Sequence, residues 1–214
     1  MLIQTEPLWS LDAFEPTISS ETMMIHVYQL HQAYIKKLNQ KFKHSDLLEI
    51  PPSEVLSNLT SYLSDRNREF YRNQMGGHVC HSLFWQVITP HPIAPDEDDD
   101  LEFLEDFGLT QELLNKTIVE EAKKRFGSGW VWGALTRKGD FQVYTTSNHD
   151  TPYMRKQKPL FCLDLWEHAY FLDVHGDRKK WIDTIPNYLD LYAVNRIYKN
   201  FLKGEDLIDH WCFR

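Results

Sequence analysis

The stretch of sequence that decides the fold is Asp164-Leu165-Trp166-Glu167-His168, which follows the apolar run Leu160-Phe161-Cys162-Leu163. A short apolar run of this kind predicts a buried strand. The run ends abruptly in acids, a Trp and a His, and buried carboxylates and imidazoles are unfavourable unless they are paired or bound to a metal. Asp164 and His168 therefore suggest two ligands of one ion, from the strand end and the first turn beyond it. The alternative is an Asp that caps a helix beside a core His.

Composition restricts the class of protein. A chain of 214 residues supports one or two domains with an ample core. Its formal net charge is -8 and it has no long basic run, so we expect neither nucleic acid nor a membrane surface as a partner. No apolar segment is long enough to span a bilayer, and residues 1–14 have no signal-peptide pattern. Cys80, Cys162 and Cys212 are widely spaced and odd in number, which favours a reducing cytoplasm.

Helical periodicity dominates the first half of the chain. Ser19 and Ser20 precede apolar residues at three- and four-residue steps over residues 23–38, which predicts a capped helix with a core-facing stripe. Further helical patterns cover residues 55–63 and 70–87. The last pattern contains two adjacent glycines, each unfavourable in a helix by about 1 kcal/mol relative to Ala. We therefore expect another part of the chain to approach that backbone closely.

The second half begins after a predicted linker. Residues 90–95 are Pro-rich and residues 96–100 are acidic, without the glycine and the spaced carboxylates of a calcium loop. We place a domain boundary here, between a helical domain of residues 1–94 and an α/β domain of residues 95–214, with the metal site between them. The predicted elements beyond it are a helix over residues 110–125, strands over residues 130–135, 141–146 and 159–163, and helical structure over residues 181–202.

Ten histidines are too many for all to be ligands. His26 lies on the apolar face of the first helix, where a His is more often a hydrogen-bonded core residue than a ligand. His81 is the stronger candidate, because it lies beside the two glycines and an aromatic cluster. One carboxylate with two or three imidazoles suits iron, manganese or zinc, and ligand type does not choose among them. Four other histidines lie in polar or terminal settings where we expect them to be solvated: His44, His91, His175 and His210.

Several separated motifs, in the same order along the chain, resemble the iron/manganese superoxide dismutase family. They are residues 18–26 followed by His31-Gln32-Ala33-Tyr34, Gly76-Gly77-His78-Val79-Cys80-His81-Ser82-Leu83-Phe84-Trp85, Gly127-Ser128-Gly129-Trp130-Val131-Trp132, and Asp164-Leu165-Trp166-Glu167-His168-Ala169-Tyr170. The resemblance implies an N-terminal helical hairpin domain and a C-terminal domain with a small three-stranded antiparallel sheet flanked by helices. It also implies a ping-pong disproportionation of superoxide to oxygen and hydrogen peroxide.

The resemblance assigns roles to individual residues. It implies one iron or manganese ion per chain, and we favour iron or the ability to use either metal. Trp130 and Trp166 correspond to the family's aromatic wall, Tyr34 to its gateway phenol, and Arg178 to a basic residue near the substrate funnel. The implied metal ligands are His26, His81, Asp164 and His168.

A homodimer is also implied, formed through the region of Glu167 and His168. In the family, the residue at Glu167 reaches the other subunit's ligand His168, and Tyr170 is assigned to the same interface. The gateway His of the family is Leu30 here, and the Tyr that hydrogen-bonds it across the dimer is Phe171. Replacing both partners of a buried hydrogen bond can be nearly neutral, so we expect a packed interface without this polar link. Slower turnover is a plausible consequence.

A third departure concerns the Gln that the family usually places against the metal-bound solvent. Gly77 occupies one of its two possible positions and His149 the other. Because a small Gly77 leaves room for a loop side chain, we expect His149 to be the solvent's partner. The alternative is a His149 that caps its loop and faces solvent. An imidazole donates from one nitrogen only in the correct tautomer, so the metal's potential is expected to differ from that of a Gln enzyme.

Because of these departures a second function stays open. In that alternative the chain is a metal-binding homologue of the family with reduced or no catalysis and a binding or structural role. An unrelated hydrolase has little support, because no nucleophile or base accompanies the predicted site. The tail Asp209-His210-Trp211-Cys212 has no counterpart in the family pattern. For this tail we favour a docked aromatic segment over a terminal zinc site.

Overall fold

The first long helix changes geometry partway along, and its buried face shifts there from the predicted Leu30 and Tyr34, which are partly buried, to His31 and Ile35. The computed structural model, which describes residues 1–91 and 101–213, contains helix α1 (Ser20–Met24), a π-helical segment (Ile25–His31) and helix α2 (Gln32–Lys41) without interruption. The Ser19 hydroxyl accepts from the N–H of Thr22 over 3.2 Å, which confirms the predicted cap. The π-helical segment was not predicted. Its i→i+5 hydrogen bonds bring His26 and His31 towards one face, whereas an α-helix separates residues five apart by roughly 140°.

A second long helix packs against the first and forms the helical hairpin. Helix α5 (Asp65–Val87) begins five residues before the predicted start, and all its residues from Met75 onward are buried. Burial on every side is typical of a helix in the centre of a domain. Between the two long helices, the single helix predicted over residues 55–63 is divided into α3 (Pro52–Ser57) and α4 (Leu59–Tyr62), because Asn58 leaves helical geometry.

The sheet matches the predicted strands. Strands β1 (Gly129–Leu135), β2 (Phe141–Ser147) and β3 (Lys158–Asp164) form an antiparallel sheet in the order β2-β1-β3. All of β1 is buried, and its pairing sets Trp130 opposite Asp164. Helices α6 (Glu102–Asp106) and α7 (Gln111–Lys124) precede the sheet. The predicted fold class is therefore confirmed, whereas the predicted linker and boundary at residues 94 and 95 lie outside the described residues.

The helical region predicted over residues 181–202 is divided into three elements. Beyond α8 (Phe171–Val174), the chain forms α9 (Arg178–Thr184), a 3-10 turn (Ile185–Tyr188) and α10 (Leu191–Leu202). Pro186 has no backbone N–H to continue a helix, and the Asp190 carboxylate starts the next one by accepting from the N–H of Ala193 over 3.0 Å. The described residues contain no helix both long and apolar enough to cross a membrane.

The tail docks on the helical domain, as favoured from the sequence. Helix α11 (Leu207–Phe213) packs against α5 and α3 and buries Ile208 and Cys212. A candidate metal group involving the tail is not found in residues 1–91 and 101–213, so the zinc alternative gains no support.

Candidate metal centre

Four side chains from separate elements converge inside the protein. His26 comes from the π-helical segment, His81 from α5, Asp164 from the last position of β3, and His168 from a 3-10 turn (Glu167–Ala169). One ligand atom from each residue lies within 4.8 Å of the others. The Asp164 Oδ2 atom is 3.2 Å from Nε2 of His26 and 3.1 Å from Nε2 of His168. The predicted ligands are therefore brought together around one point.

The donor set fits a transition-metal ion. Nε2 of His81 is buried without a hydrogen-bond partner, which costs about 1–3 kcal/mol when nothing is bound. Nε2 of His26 faces Asp164 Oδ2 at 3.2 Å without forming a well-oriented hydrogen bond. His81 donates its Nδ1–H to the Gly77 carbonyl oxygen over 2.6 Å, which leaves the lone pair on Nε2 directed at the cluster. Three imidazoles and one carboxylate suit iron, manganese or zinc by ligand type.

The charge states of the cluster are those that a metal requires. Burial, reinforced by the nearby His168, lowers the pKa of His26 to about 4. Burial also lowers the pKa of His81 well below its ordinary value. Burial acts to raise the pKa of Asp164, but His168 and His26 outweigh it and hold that pKa below the ordinary value. Near neutral pH Asp164 is therefore a carboxylate, and the His26 and His81 imidazoles are unprotonated, which are the ligating forms of these three residues.

His149 is held between Trp130 and Tyr34. The Trp130 Nε1–H donates to His149 Nδ1 over 3.2 Å, and His149 Nε2 lies 2.8 Å from the Tyr34 hydroxyl oxygen. An indole nitrogen only donates, so Nδ1 is the acceptor and the proton of the neutral ring lies on Nε2. Burial lowers the pKa of His149 to about 4, which keeps the ring neutral. His149 is 5% exposed, so the interpretation in which it faces solvent is wrong.

Aromatic rings fix the loop that carries His149. Its imidazole stacks on Trp166 with ring centroids 4.6 Å apart and planes within 12°, and Trp166 in turn stacks on His168. The Trp166 Nε1–H donates to the carbonyl oxygen of Asn148 over 3.3 Å. Asn148 adopts the left-handed region, with φ of 51°, which Asn tolerates better than most residues. Trp130 and Trp166 thus lie beside the proposed ligands His81 and His168.

The two adjacent glycines have different neighbours. A Cβ atom on Gly76 would lie 2.1 Å from the His149 carbonyl oxygen, which leaves no room for a side chain. A Cβ atom on Gly77 would lie 3.0 Å from the Tyr34 ring. Gly76 therefore clears the backbone of the His149 loop and Gly77 clears the phenol. The expectation that Gly77 leaves room for the His149 side chain stays a prediction.

The residues assigned to a dimer interface divide into exposed and buried. Phe171 is 52% exposed, Glu167 is exposed, and Leu30 is partly exposed. Tyr170, in contrast, is 2% exposed and stacks on Trp181 with ring centroids 5.8 Å apart. The interface assignment of the Tyr170 side chain is therefore corrected, because the core of its own chain covers that ring.

Arg178 braces the loops beside the site. Its guanidinium donates to the Leu165 carbonyl over 2.7 Å, to the Gly127 carbonyl over 3.0 Å and to the Arg125 carbonyl over 3.3 Å. The side chain is partly buried. These bonds join the chain next to Trp166 to the start of β1, so the residue predicted near a substrate funnel also has a structural role.

Two buried histidines were not identified as site residues from the sequence. His31 is fully buried with its ring nearly parallel to that of His81, at a centroid distance of 5.2 Å and an angle of 18°. His78 is fully buried beside His31. The sequence signal for these two residues was their spacing from the predicted ligands, since His31 follows His26 by five residues and His78 precedes His81 by three. The four histidines expected to be solvated are exposed: His44, His91, His175 and His210.

Two family models match the chain. The model described as iron/manganese superoxide dismutases, alpha-hairpin domain, matches residues 6–89, and that described as iron/manganese superoxide dismutases, C-terminal domain, matches residues 100–197. The chain is also 35% identical over 190 residues to a protein from Listeria innocua serovar 6a described as superoxide dismutase [Mn]. That match covers 88% of this chain and 93% of the relative. Helix α11 lies beyond the residues that the family models match.

Proposed function

The chain belongs to the iron/manganese superoxide dismutase family and is a superoxide dismutase, and on that basis we propose that His26, His81, Asp164 and His168 hold its iron or manganese ion, one per chain. The convergence of four ligand atoms within 4.8 Å carries the proposal. The unpartnered Nε2 atom of His81 adds support, because a bound ion satisfies it.

When bound, the ion supplies a one-electron couple that oxidises one superoxide to oxygen and reduces a second to hydrogen peroxide, with uptake of two protons. Tyr34 is placed to assist proton delivery. Its oxygen accepts the Nε2–H of His149, so its own hydroxyl hydrogen is available to a molecule entering the site. Burial, with a contribution from the charge of Asp164, raises the pKa of Tyr34 well above its ordinary value. The phenol therefore stays protonated at physiological pH.

We propose that the enzyme works with either metal and that iron serves it at least as well as manganese. The relative from Listeria innocua is described as a manganese enzyme, and the ligand types do not discriminate. The proposal that the enzyme uses both iron and manganese is supported by the presence of His149 where the family usually has a Gln. A Gln amide has two N–H hydrogens, whereas the neutral His149 has one, and its Nε2 lies 2.8 Å from the Tyr34 hydroxyl. Hydrogen bonding to groups near the metal is what tunes its potential.

The proposed quaternary structure is a homodimer through the Glu167 and His168 region. Phe171 and Leu172, which follow Glu167 by four and five positions, are each about half exposed, and burying such apolar side chains favours association. We also propose that the helical domain of residues 1–94 and the α/β domain of residues 95–214 enclose the metal between them. A cytoplasmic location is consistent with three free, buried thiols: Cys80, Cys162 and Cys212.

Separate loading with iron and manganese tests the proposal. We expect about one metal ion per chain and superoxide removal by both forms. The variant His81→Ala should lose most of its metal and activity, because the remaining three ligands leave one side of the ion open. The control His44→Ala removes an exposed imidazole and should bind and react normally. Full loading without activity in either form would favour a metal-binding homologue without catalysis.

A further inference from the structure

A second pair of histidines lies behind the proposed ligands and takes no part in the chemistry described above. The Nε2 atom of His31 is 2.8 Å from Nδ1 of His78, and both residues are fully buried. At one end the Trp85 Nε1–H donates to Nδ1 of His31 over 3.1 Å. At the other end, Nε2 of His78 lies 3.2 Å from the main-chain carbonyl oxygen of Cys212. These four groups are named the histidine bridge.

The two ends of the histidine bridge fix the direction of every hydrogen bond in it. The Trp85 indole nitrogen only donates, so Nδ1 of His31 accepts and its Nε2 carries the hydrogen. His31 then donates to Nδ1 of His78, whose hydrogen is therefore on Nε2. The Cys212 carbonyl only accepts, which agrees with that assignment from the opposite end. Burial lowers the pKa of His78 to about 4 and lowers that of His31 well below its ordinary value, so both rings are neutral.

The acceptor at the end of the bridge belongs to the docked tail. Cys212 is next to the last residue of α11, where carbonyl groups lack partners within the helix. The Thr5 hydroxyl donates to the neighbouring Trp211 carbonyl over 2.6 Å, and the Asp209 carboxylate accepts from the N–H of Ser53 over 2.9 Å. Helix α11 is thus anchored at both ends, and its terminal carbonyls are satisfied by groups of the helical domain.

The other end of the bridge touches the metal site. The His31 ring is nearly parallel to that of His81 at 5.2 Å, and Trp85 lies edge-on to His26 with ring centroids 4.8 Å apart. His31 has no freedom to turn its ring without breaking two hydrogen bonds. We propose that His31 and His78 are positioning residues through which the docking of α11 holds the proposed ligand His81 in place. This inference rests on the proposed ligand role of His81.

Nitrogen-15 NMR of the imidazoles tests the bridge without any substitution. The sample is the full-length chain loaded with diamagnetic Zn²⁺. We expect His31 and His78 both to carry their hydrogen on Nε2, with Nδ1 showing the shift of an accepting nitrogen. A hydrogen on Nδ1 of either ring would overturn the proposal. Failure of the wild-type chain to hold metal at His81 would instead refute the proposed function, and the tautomers would still be measured.

Two variants test the link to the metal. In the full chain, Ile208→Asp places a charge on the buried face of α11 and undocks it, and His78→Phe keeps a ring but removes both nitrogens of the bridge. In each we expect manganese affinity, measured by competition with a chelator, to fall about tenfold or more. The nitrogen-15 signals of His31 should shift as well, which a general loss of stability does not produce. His210→Ala, an exposed change on the same helix, should alter neither quantity. Unchanged affinity and unchanged His31 signals in Ile208→Asp and His78→Phe would refute the link.

Discussion

Replacing His149 by Gln changes the number of hydrogens available beside the metal. The carboxamide oxygen of Gln can accept from Trp130 Nε1, as Nδ1 of His149 does now over 3.2 Å. Its nitrogen then carries two hydrogens, one for Tyr34 and one for a molecule on the metal side. His149 has one hydrogen on Nε2, which lies 2.8 Å from the Tyr34 oxygen. The variant therefore adds one donor without removing an existing bond.

The size of the effect follows from the net value of one hydrogen bond. A net contribution of about 1 kcal/mol that favours one oxidation state over the other corresponds to roughly a fivefold change in the redox equilibrium. For a one-electron couple, in which a factor of ten equals about 59 mV, this is a shift of roughly 40 mV. Iron and manganese have different intrinsic potentials, so a common shift moves one metal form towards its working range and the other away from it. We expect His149→Gln to change the ratio of manganese to iron activity by roughly fivefold.

The assay compares superoxide removal per bound metal ion for both metal forms of wild type and variant, together with the midpoint potential of each form. Trp166 offers a control, because Trp166→Phe keeps a stacking ring against His149 and removes only the bond to the Asn148 carbonyl. It should change the activity ratio much less. An unaltered ratio and unaltered potentials in His149→Gln would show that this side chain does not communicate with the metal.

Three further predictions follow from the packing around the site and the tail. Gly76→Ala should destabilise the protein by about 1–3 kcal/mol and reduce activity more than Gly77→Ala does. The new Cβ at residue 76 would lie 2.1 Å from the His149 backbone, whereas one at residue 77 would lie 3.0 Å from the Tyr34 ring. Equal melting temperatures for the two variants would contradict this prediction. If Leu30 and Phe171 are coupled across the proposed dimer, Leu30→His and Phe171→Tyr should each weaken dimer association by about 1–3 kcal/mol, as measured by sedimentation. The double variant should weaken association by less than the sum of the two single effects. Strictly additive effects would contradict the coupling. Burial, with a contribution from the charge of Asp209, raises the pKa of Asp206 to about 6, above its value in the unfolded chain. The folded protein therefore gains stability from protonated Asp206 at low pH and loses it as pH rises through about 6. Asp206→Asn should therefore raise the melting temperature at pH 7 but not at pH 4, and an equal change at both values would contradict the assignment.

Local sequence patterns were sufficient for most of the secondary structure. The three strands and the Ser19 cap of α1 fall where period and capping chemistry place them. The errors occur where a local break interrupts a continuing apolar pattern. Asn58 divides one predicted helix, and Pro186 with Asp190 divides another. The π-helical turn was missed because the apolar spacing of the sequence does not mark it, and the turn moves burial from Leu30 to His31.

The amino-acid sequence by itself determined which residues could bind a metal and which elements would carry them. Asp164 and His168 stand out because they end an apolar run, and that observation needs only neighbouring residues. The tertiary structure decided how these residues are used. It placed the His149 backbone against Gly76, buried Tyr170, and assigned one donor nitrogen to His149.

The sequence could not predict these features because the tautomer of a histidine, the burial of a side chain and the close approach of two backbones depend on residues that are distant along the chain. His31 and His78 are 47 positions apart, and His78 and Cys212 are 134 apart. No local pattern signals that Trp85 and a tail carbonyl will meet the same pair of rings. Since a neutral imidazole has one donor and one acceptor, its role is undefined until both neighbours are known. The fold supplies those neighbours, and with them the hydrogen bonds that surround the metal centre.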